Sequence, residues 1–144
     1  MTRVPNDSLV FKEGMMLLDG VPFTGIGEVL DATRGLIAEY EYRNGLKWGE
    51  SRVWYSPGVR FQQGLFFMGT GHGKHREWYR NGTLKKELDY DLGYVVRRKV
   101  WDEDGDLIED YKLQESEPKY ESLQKFRKHY QDILAREKPP LELD

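Results

Sequence analysis

Glycines recur along this 144-residue chain in three interleaved series that share one period. Gly14, Gly35, Gly58, Gly82 and Gly105 are separated by 21, 23, 24 and 23 residues. Between them fall Gly20, Gly45, Gly69 and Gly93, at 25, 24 and 24 residues. A third series, Gly25, Gly49 and Gly73, is spaced by 24 and gives way to Arg97 where its next member would stand. A fixed period of this size marks an array of like units that contact mainly their neighbours. Two strands of about seven or eight residues and two tight turns use about 24 residues, so the expected unit is one β-hairpin with its connection.

The stretches around the first series agree in more than their glycine. VFKEGMMLL (10–18), WYSPGVRFQ (54–62), WYRNGTLKK (78–86) and WDEDGDLIE (101–109) each place a bulky residue four positions before the pivot. LDATRGLIAEYEY (30–42) repeats the form with one extra turn residue. Asn44-Gly45 and Asn81-Gly82 are hairpin-turn dipeptides, because both central residues of a type I′ turn need positive φ. Nine Tyr, six Phe and four Trp suit strands, and Ala, the best helix former, occurs only three times. Alternation after the pivots puts Leu36, Ala38, Tyr40 and Tyr42 on one face, then Val59, Phe61, Leu65 and Phe67, then Leu84, Leu88 and Tyr90, then Leu107, Tyr111 and Leu113. Arg60, Lys85, Glu87, Asp89, Asp110 and Lys112 take the other face. Period two with one apolar face predicts an antiparallel sheet covered on one side, its apolar residues aligned in a continuous strip.

The pattern changes near the end. Tyr120, Leu123, Phe126, Tyr130, Ile133 and Leu134 have helical spacing, with Ser116 or Glu117 to cap, Pro118 in the first turn and Pro139-Pro140 to stop. The expected organisation is therefore a hairpin array over 1–115, a helix over 116–138 that caps the array or covers its strip, and a tail over 139–144. The fold class is mainly β, an elongated single-layer antiparallel sheet of about five hairpins.

YRNGLKWGESRVWYSPGV (42–59) and GHGKHREWYRNGTLKKELDY (71–90) resemble the variant MORN repeat, and DGVPFTGIGEVL (19–30) is similar to the unit that opens such arrays. The resemblance spans about Leu9 to Leu113. It implies an antitoxin or immunity component that binds a cognate polymorphic toxin domain and blocks it without chemistry of its own. The alternative it leaves open is a MORN-repeat scaffold for protein–protein or membrane-surface contact. Ser56-Pro57, Gly73 without a preceding Asn-Gly, Arg97, and the last copy, YVVRRKVWDEDGDLIEDYKL (94–113), depart from the pattern.

Several chemistries are disfavoured by the residues themselves. GTGHGKHR (69–76) is not a phosphate loop, because Met68 and His75 stand where a Walker A motif needs Gly and Ser or Thr. His72, His75 and His129 lack a patterned fourth ligand for zinc, and DEDGD (102–106) has Val100 and Tyr111 where a calcium loop needs acids. The chain has no Cys and no G-x-S-x-G, so neither a thiol nor a serine-elbow nucleophile is expected. We therefore expect no enzyme, no catalytic residues, and no cofactor or metal. A net charge of −3, with both signs interspersed, argues against direct nucleic-acid or membrane binding, and the absence of a long apolar run suggests a cytoplasmic protein.

Two candidate partner-binding surfaces remain. One is the acidic stretch of Asp102, Glu103, Asp104, Asp106, Glu109 and Asp110, which is either a solvated face or a decoy for a basic, nucleic-acid-targeting toxin site. The other is the ladder of Trp54, Tyr55, Trp78, Tyr79 and Trp101, which either stacks across strands or docks a partner. Alternation predicts that one member of each Trp-Tyr pair is buried and the other free.

Overall fold

The computed structural model describes residues 1–143. A short strand β1 (Arg3–Pro5) leads through a 3-10 turn to β2 (Val10–Lys12), β3 (Met15–Leu18) and β4 (Val21–Pro22), which form a small antiparallel sheet. Eight longer strands follow: β5 (Gly25–Asp31), β6 (Gly35–Arg43), β7 (Leu46–Ser56), β8 (Val59–Phe67), β9 (Thr70–Trp78), β10 (Leu84–Asp91), β11 (Tyr94–Trp101) and β12 (Leu107–Lys112). They pair antiparallel in chain order, and β1 lies parallel to β5 at the first edge, making nine strands in all. One helix, α1 (Pro118–Glu137), completes the fold. The hairpin array and the single helix expected from the sequence are both present, with the parallel edge strand and the separate small sheet as additions.

Each glycine series has its own geometric task. The second series closes two-residue turns in which the preceding residue is also left-handed, as at Asn44 (φ 50°) and Gly45 (φ 83°) between the paired Arg43 and Leu46. Turns with two positive φ values match the right-handed twist of the strands they join. The same turns staple neighbouring units together. The amides of Gly45, Gly69 and Gly93 donate to the carbonyls of Phe23, Lys47 and Gly71 at 2.8, 2.9 and 2.8 Å, so donors and acceptors both advance by one period. At the opposite ends of the strands the hydroxyls of Tyr55 and Tyr79 donate to the carbonyls of Trp78 and Trp101, each at 2.9 Å.

The third series lies in strands, Gly25 at the start of β5 and Gly49 and Gly73 at bulges of β7 and β9, each where an oxygen from elsewhere in the chain lies against the backbone. The residue after each of these glycines offers its amide to that oxygen. Ile26 donates to the Thr2 carbonyl (2.8 Å), Glu50 to the Glu41 carboxylate (3.1 Å) and Lys74 to the Leu141 carbonyl (2.8 Å). A Cβ on Gly25, Gly49 or Gly73 would come within 2.4 Å of the Thr2 oxygen, 2.1 Å of the Glu41 carboxylate or 3.0 Å of the Leu141 oxygen. Glycine is required there by close approach as well as by positive φ. The series anchors the N-terminal strand at the start of β5 and the C-terminal tail at the β9 bulge.

The helix straps one face of the sheet. Its N-cap Glu117 accepts from the Tyr111 hydroxyl on β12 (2.8 Å), Arg127 donates to Asp91 at the end of β10 (2.7 Å), and Glu137 pairs with Arg43 on β6 (3.1 Å). Twenty residues reach about 30 Å, and six strand spacings from β12 to β6 come to about 29 Å, so helix and sheet are matched in length. Leu123, 1% exposed, is the helix residue driven deepest, and Phe126 packs beside Tyr94. Lys138 ends the helix in the left-handed conformation, its amide donating to Leu134, and the tail then turns back to the Gly73 bulge.

The single apolar strip expected from alternation is instead divided between both faces. Ala38, Tyr40, Leu88, Tyr90 and Tyr111 share the open face, opposite the helix, Leu65 and Phe67 point to the strapped face, and Phe61 falls at a bulge of β8. The central strand β8 is apolar toward both faces, burying Leu65 and Phe67 on the strapped side and carrying Phe66, half-buried, toward the open one. One-faced alternation fails for a strand with large apolar residues on both faces. A second small core of Leu9, Phe23 and Tyr42, with Val4, Met16, Leu18 and Tyr40 against it, fastens the small sheet to the array.

Candidate functional site

On the strapped face a row of directly opposed residues crosses the whole sheet: Glu28, Glu39, Arg52, Gln63, Arg76, Glu87, Lys99 and Asp110. Its charges other than Lys99 are paired with neighbours on the same face. Arg3, delivered by β1, bridges the two adjacent glutamates, Arg76 holds Glu87 at 2.9 Å, and Arg97 holds Asp110 at 2.8 Å. Like charges opposite one another on a sheet are destabilising, which explains the placement of Arg3. Lys74, beside the row, pairs with Asp89 (2.8 Å) and Glu87 (3.4 Å). Burial pushes the Glu87 carboxyl up, but its hydrogen bond to Arg76 and the Lys74 charge outweigh this and hold it below the usual range.

The acidic stretch divides into spent and free carboxylates. Asp102 closes its own turn, accepting from the amides of Asp104 and Asp106 at 3.0 Å each. Glu109 and Asp110 are engaged by Arg98 and Arg97. Glu103, Asp104 and Asp106 are exposed at the turn tip between β11 and β12. In the aromatic ladder Trp78 is buried under the Arg60 guanidinium, 4.1 Å from its ring, while Trp54, Tyr55, Tyr79 and Trp101 are half-buried. Neither tyrosine of the two pairs is free, because the hydroxyls of Tyr55 and Tyr79 are committed to the staples between units.

The histidine-rich stretch resolves into structural roles. His72 Nδ1 accepts from the Leu92 amide (3.0 Å), which holds the ring neutral and braces the left-handed turn at Leu92-Gly93. The Asp91 carboxylate, 3.8 Å from that nitrogen, is therefore not a true ion-pair partner. His75 Nε2 donates to the Leu65 carbonyl at 2.7 Å. Burial pulls both imidazoles below their ordinary pKa, opposed at His72 by Asp91 and at His75 by the Leu65 carbonyl, with Lys47 adding to the depression. Among the described residues no three His, Cys, Asp or Glu side chains are grouped to hold a metal ion, and no helix is long and apolar enough to cross a membrane.

The principal concavity is a trough of about 410 Å³ on the open face. Its floor follows the cross-strand row Tyr40, Ser51, Gly64, His75, Leu88 and Arg98. Tyr40, Phe66, His75 and Tyr90 supply rings, and Val53, Gln62, Glu77 and Lys86 line the other side. His75 stands edge-on to Phe66 (5.0 Å) and to Tyr90 (4.6 Å). Lys47 lies over the rings of Tyr40 (4.6 Å) and Phe66 (5.0 Å), an arrangement favoured by the ring quadrupole. Burial pulls its ammonium below the ordinary lysine pKa. Arg98 covers the Tyr111 ring at 5.0 Å. The Ser51 side chain, 7% exposed, has its oxygen buried without a hydrogen-bond partner.

None of the trough's rings or cations was singled out from sequence as a site, although a signal was available. Three glycines fall outside the periodic series, Gly27, Gly64 and Gly71, and each lies beneath a ring. A Cβ there would meet Tyr42 at 3.1 Å, His75 at 2.3 Å and Tyr90 at 3.1 Å. A glycine off the period marks a ring laid flat across the sheet. No family model matches the chain, and no curated protein or solved structure matches it significantly.

Proposed function

We propose that this protein is a binding protein of the immunity type, which neutralises a cognate toxin domain by covering its active site. The observation that carries the reading is the contrast between the two faces. Most charges along the strapped-face row are paired, and a helix and tail lie over one side of it. The open face leaves a trough of rings and cations lined by sheet residues alone. The antitoxin assignment itself rests on the resemblance of residues 42–59 and 71–90 to variant MORN repeats.

The mechanism is steric and electrostatic occlusion. A standard interface takes about 800 Å² from each partner, roughly a tenth of this chain's 8976 Å² surface. The free carboxylates of Glu103, Asp104 and Asp106 steer a basic partner toward the C-terminal end of the array, accelerating encounter more than they tighten the complex. Co-expression with the toxic domain encoded by the neighbouring gene tests the proposal. Growth should be restored and the two chains should co-purify. Reversing the three acids to lysine should weaken rescue, most at low salt. Failure of the intact protein to restore growth or to co-purify would contradict the immunity reading.

A further inference from the structure

We infer that the trough on the open face seats an extended, acidic segment of the partner protein, with its carboxylates on Lys47 at one end and on Lys86 toward the other. The inference rests on the reading above, that this is a binding protein, and adds the chemistry of what it binds. Charge is the first argument. The chain carries −3 overall, yet the trough gathers Lys47, Lys86 and Arg98 against a single lining carboxylate, Glu77, which is already engaged by Lys85 and Gln62; Arg98 is held by Glu109, which leaves the two lysines over. Among the described residues neither Lys47 nor Lys86 takes part in an ion pair. A half-buried ammonium whose neighbours are rings gains a charge-assisted hydrogen bond when a carboxylate arrives.

Shape is the second argument. From Tyr40 on β6 to Arg98 on β11 the floor crosses five strand spacings, about 24 Å, the reach of about seven extended residues. Spread over that length, 410 Å³ is a cross-section of about 17 Å², so one file of extended polypeptide would sit in the trough with its outer side still exposed. The orphaned Ser51 hydroxyl in the floor supplies the third argument, since a buried polar group without a partner calls for one. Single-stranded nucleic acid is the other polyanion that aromatic, cationic surfaces take, but it needs ring faces on which bases can stack. Here the rings of Phe66, His75 and Tyr90 meet edge to face, at 71° and 64°, and Lys47 covers Tyr40 and Phe66.

The test is an amide NMR titration of the full chain with a seven-residue peptide of alternating Glu and Ala, its Lys counterpart, and a seven-residue oligothymidylate. The Glu peptide should shift the amides of Lys47, Ser51, Gly64, His75, Lys86 and Arg98 in a saturable, salt-sensitive way. Affinity should fall at least tenfold in K47E/K86E and be unchanged in D104K/D106K. K47Q/K86Q, which introduces no new charge, should show a smaller loss and guards against misfolding of the reversal variant. No shifts at millimolar peptide, shifts confined to the strapped face, equal binding of the Lys peptide, or tighter binding of the oligothymidylate would each overturn the inference. A trough that fails this titration in a protein that still rescues growth leaves the immunity reading standing. The converse result separates them the other way.

Discussion

His72 and His75 show how much a single side chain can be asked to do in a thin sheet. His72 holds a turn through an unprotonated nitrogen, and His75 fills the space above Gly64. Both have folded-state pKa values depressed by burial. The unfolded chain therefore binds more protons once pH falls through the ordinary imidazole value of about 6.5, and stability must fall with it. The stabilisation is fully present above that value and is lost progressively below it. The carboxylates held low, Glu87 and Glu117, act in the same direction, but only below about pH 4.5. Urea unfolding should therefore show a midpoint that declines between pH 7 and pH 5.5. In the variant H72N/H75N that decline should flatten, whatever its effect on stability at pH 7. An equally steep decline in the variant would show that other groups carry the titration.

At the scale of elements, the helix and the hairpins depend on each other. The strapped face holds Leu65 and Phe67, and Leu123 is the helix side chain buried most completely. Leu123→Ala should cost about 2–5 kcal/mol in urea unfolding, the range for a large side chain removed from a packed site. Phe126→Ala, at a position 43% exposed, should cost less. Equal losses would mean that the helix is not packed as described. The helix itself was legible from spacing, from Pro118 and from the Pro139-Pro140 stop. Its path along the sheet was not, because the three polar contacts that fix it join residues 6, 36 and 94 apart in sequence. The strand faces were legible where one side is wet, as in β10 and β12. They failed at β8, which is apolar on both sides. The trough escaped notice for a related reason: Lys47, His75 and Arg98 carry no motif and meet only through strand register.

For the whole molecule, the period is a hydrogen-bonding scheme as much as a sequence pattern. Each hairpin is too small to be stable alone. Staples at both ends of the strands, and glycine sites that take in the oxygens of Thr2, Glu41 and Leu141, turn a series of hairpins into one object. The glycine series predicted the array because each glycine occupies a place where a side chain would block a turn or a close approach. The edge strand β12, with Ile108 63% exposed, remains unpaired on its outer side among the described residues.

Native-state amide hydrogen exchange tests this scheme most directly. The amides of Gly45, Gly69 and Gly93, and those of Ile26, Glu50 and Lys74, should all be protected, with each set spanning less than a tenfold range across the array. Fast, unprotected exchange at any member of the Gly45, Gly69 and Gly93 set would contradict the claim that one repeated geometry holds these hairpins together.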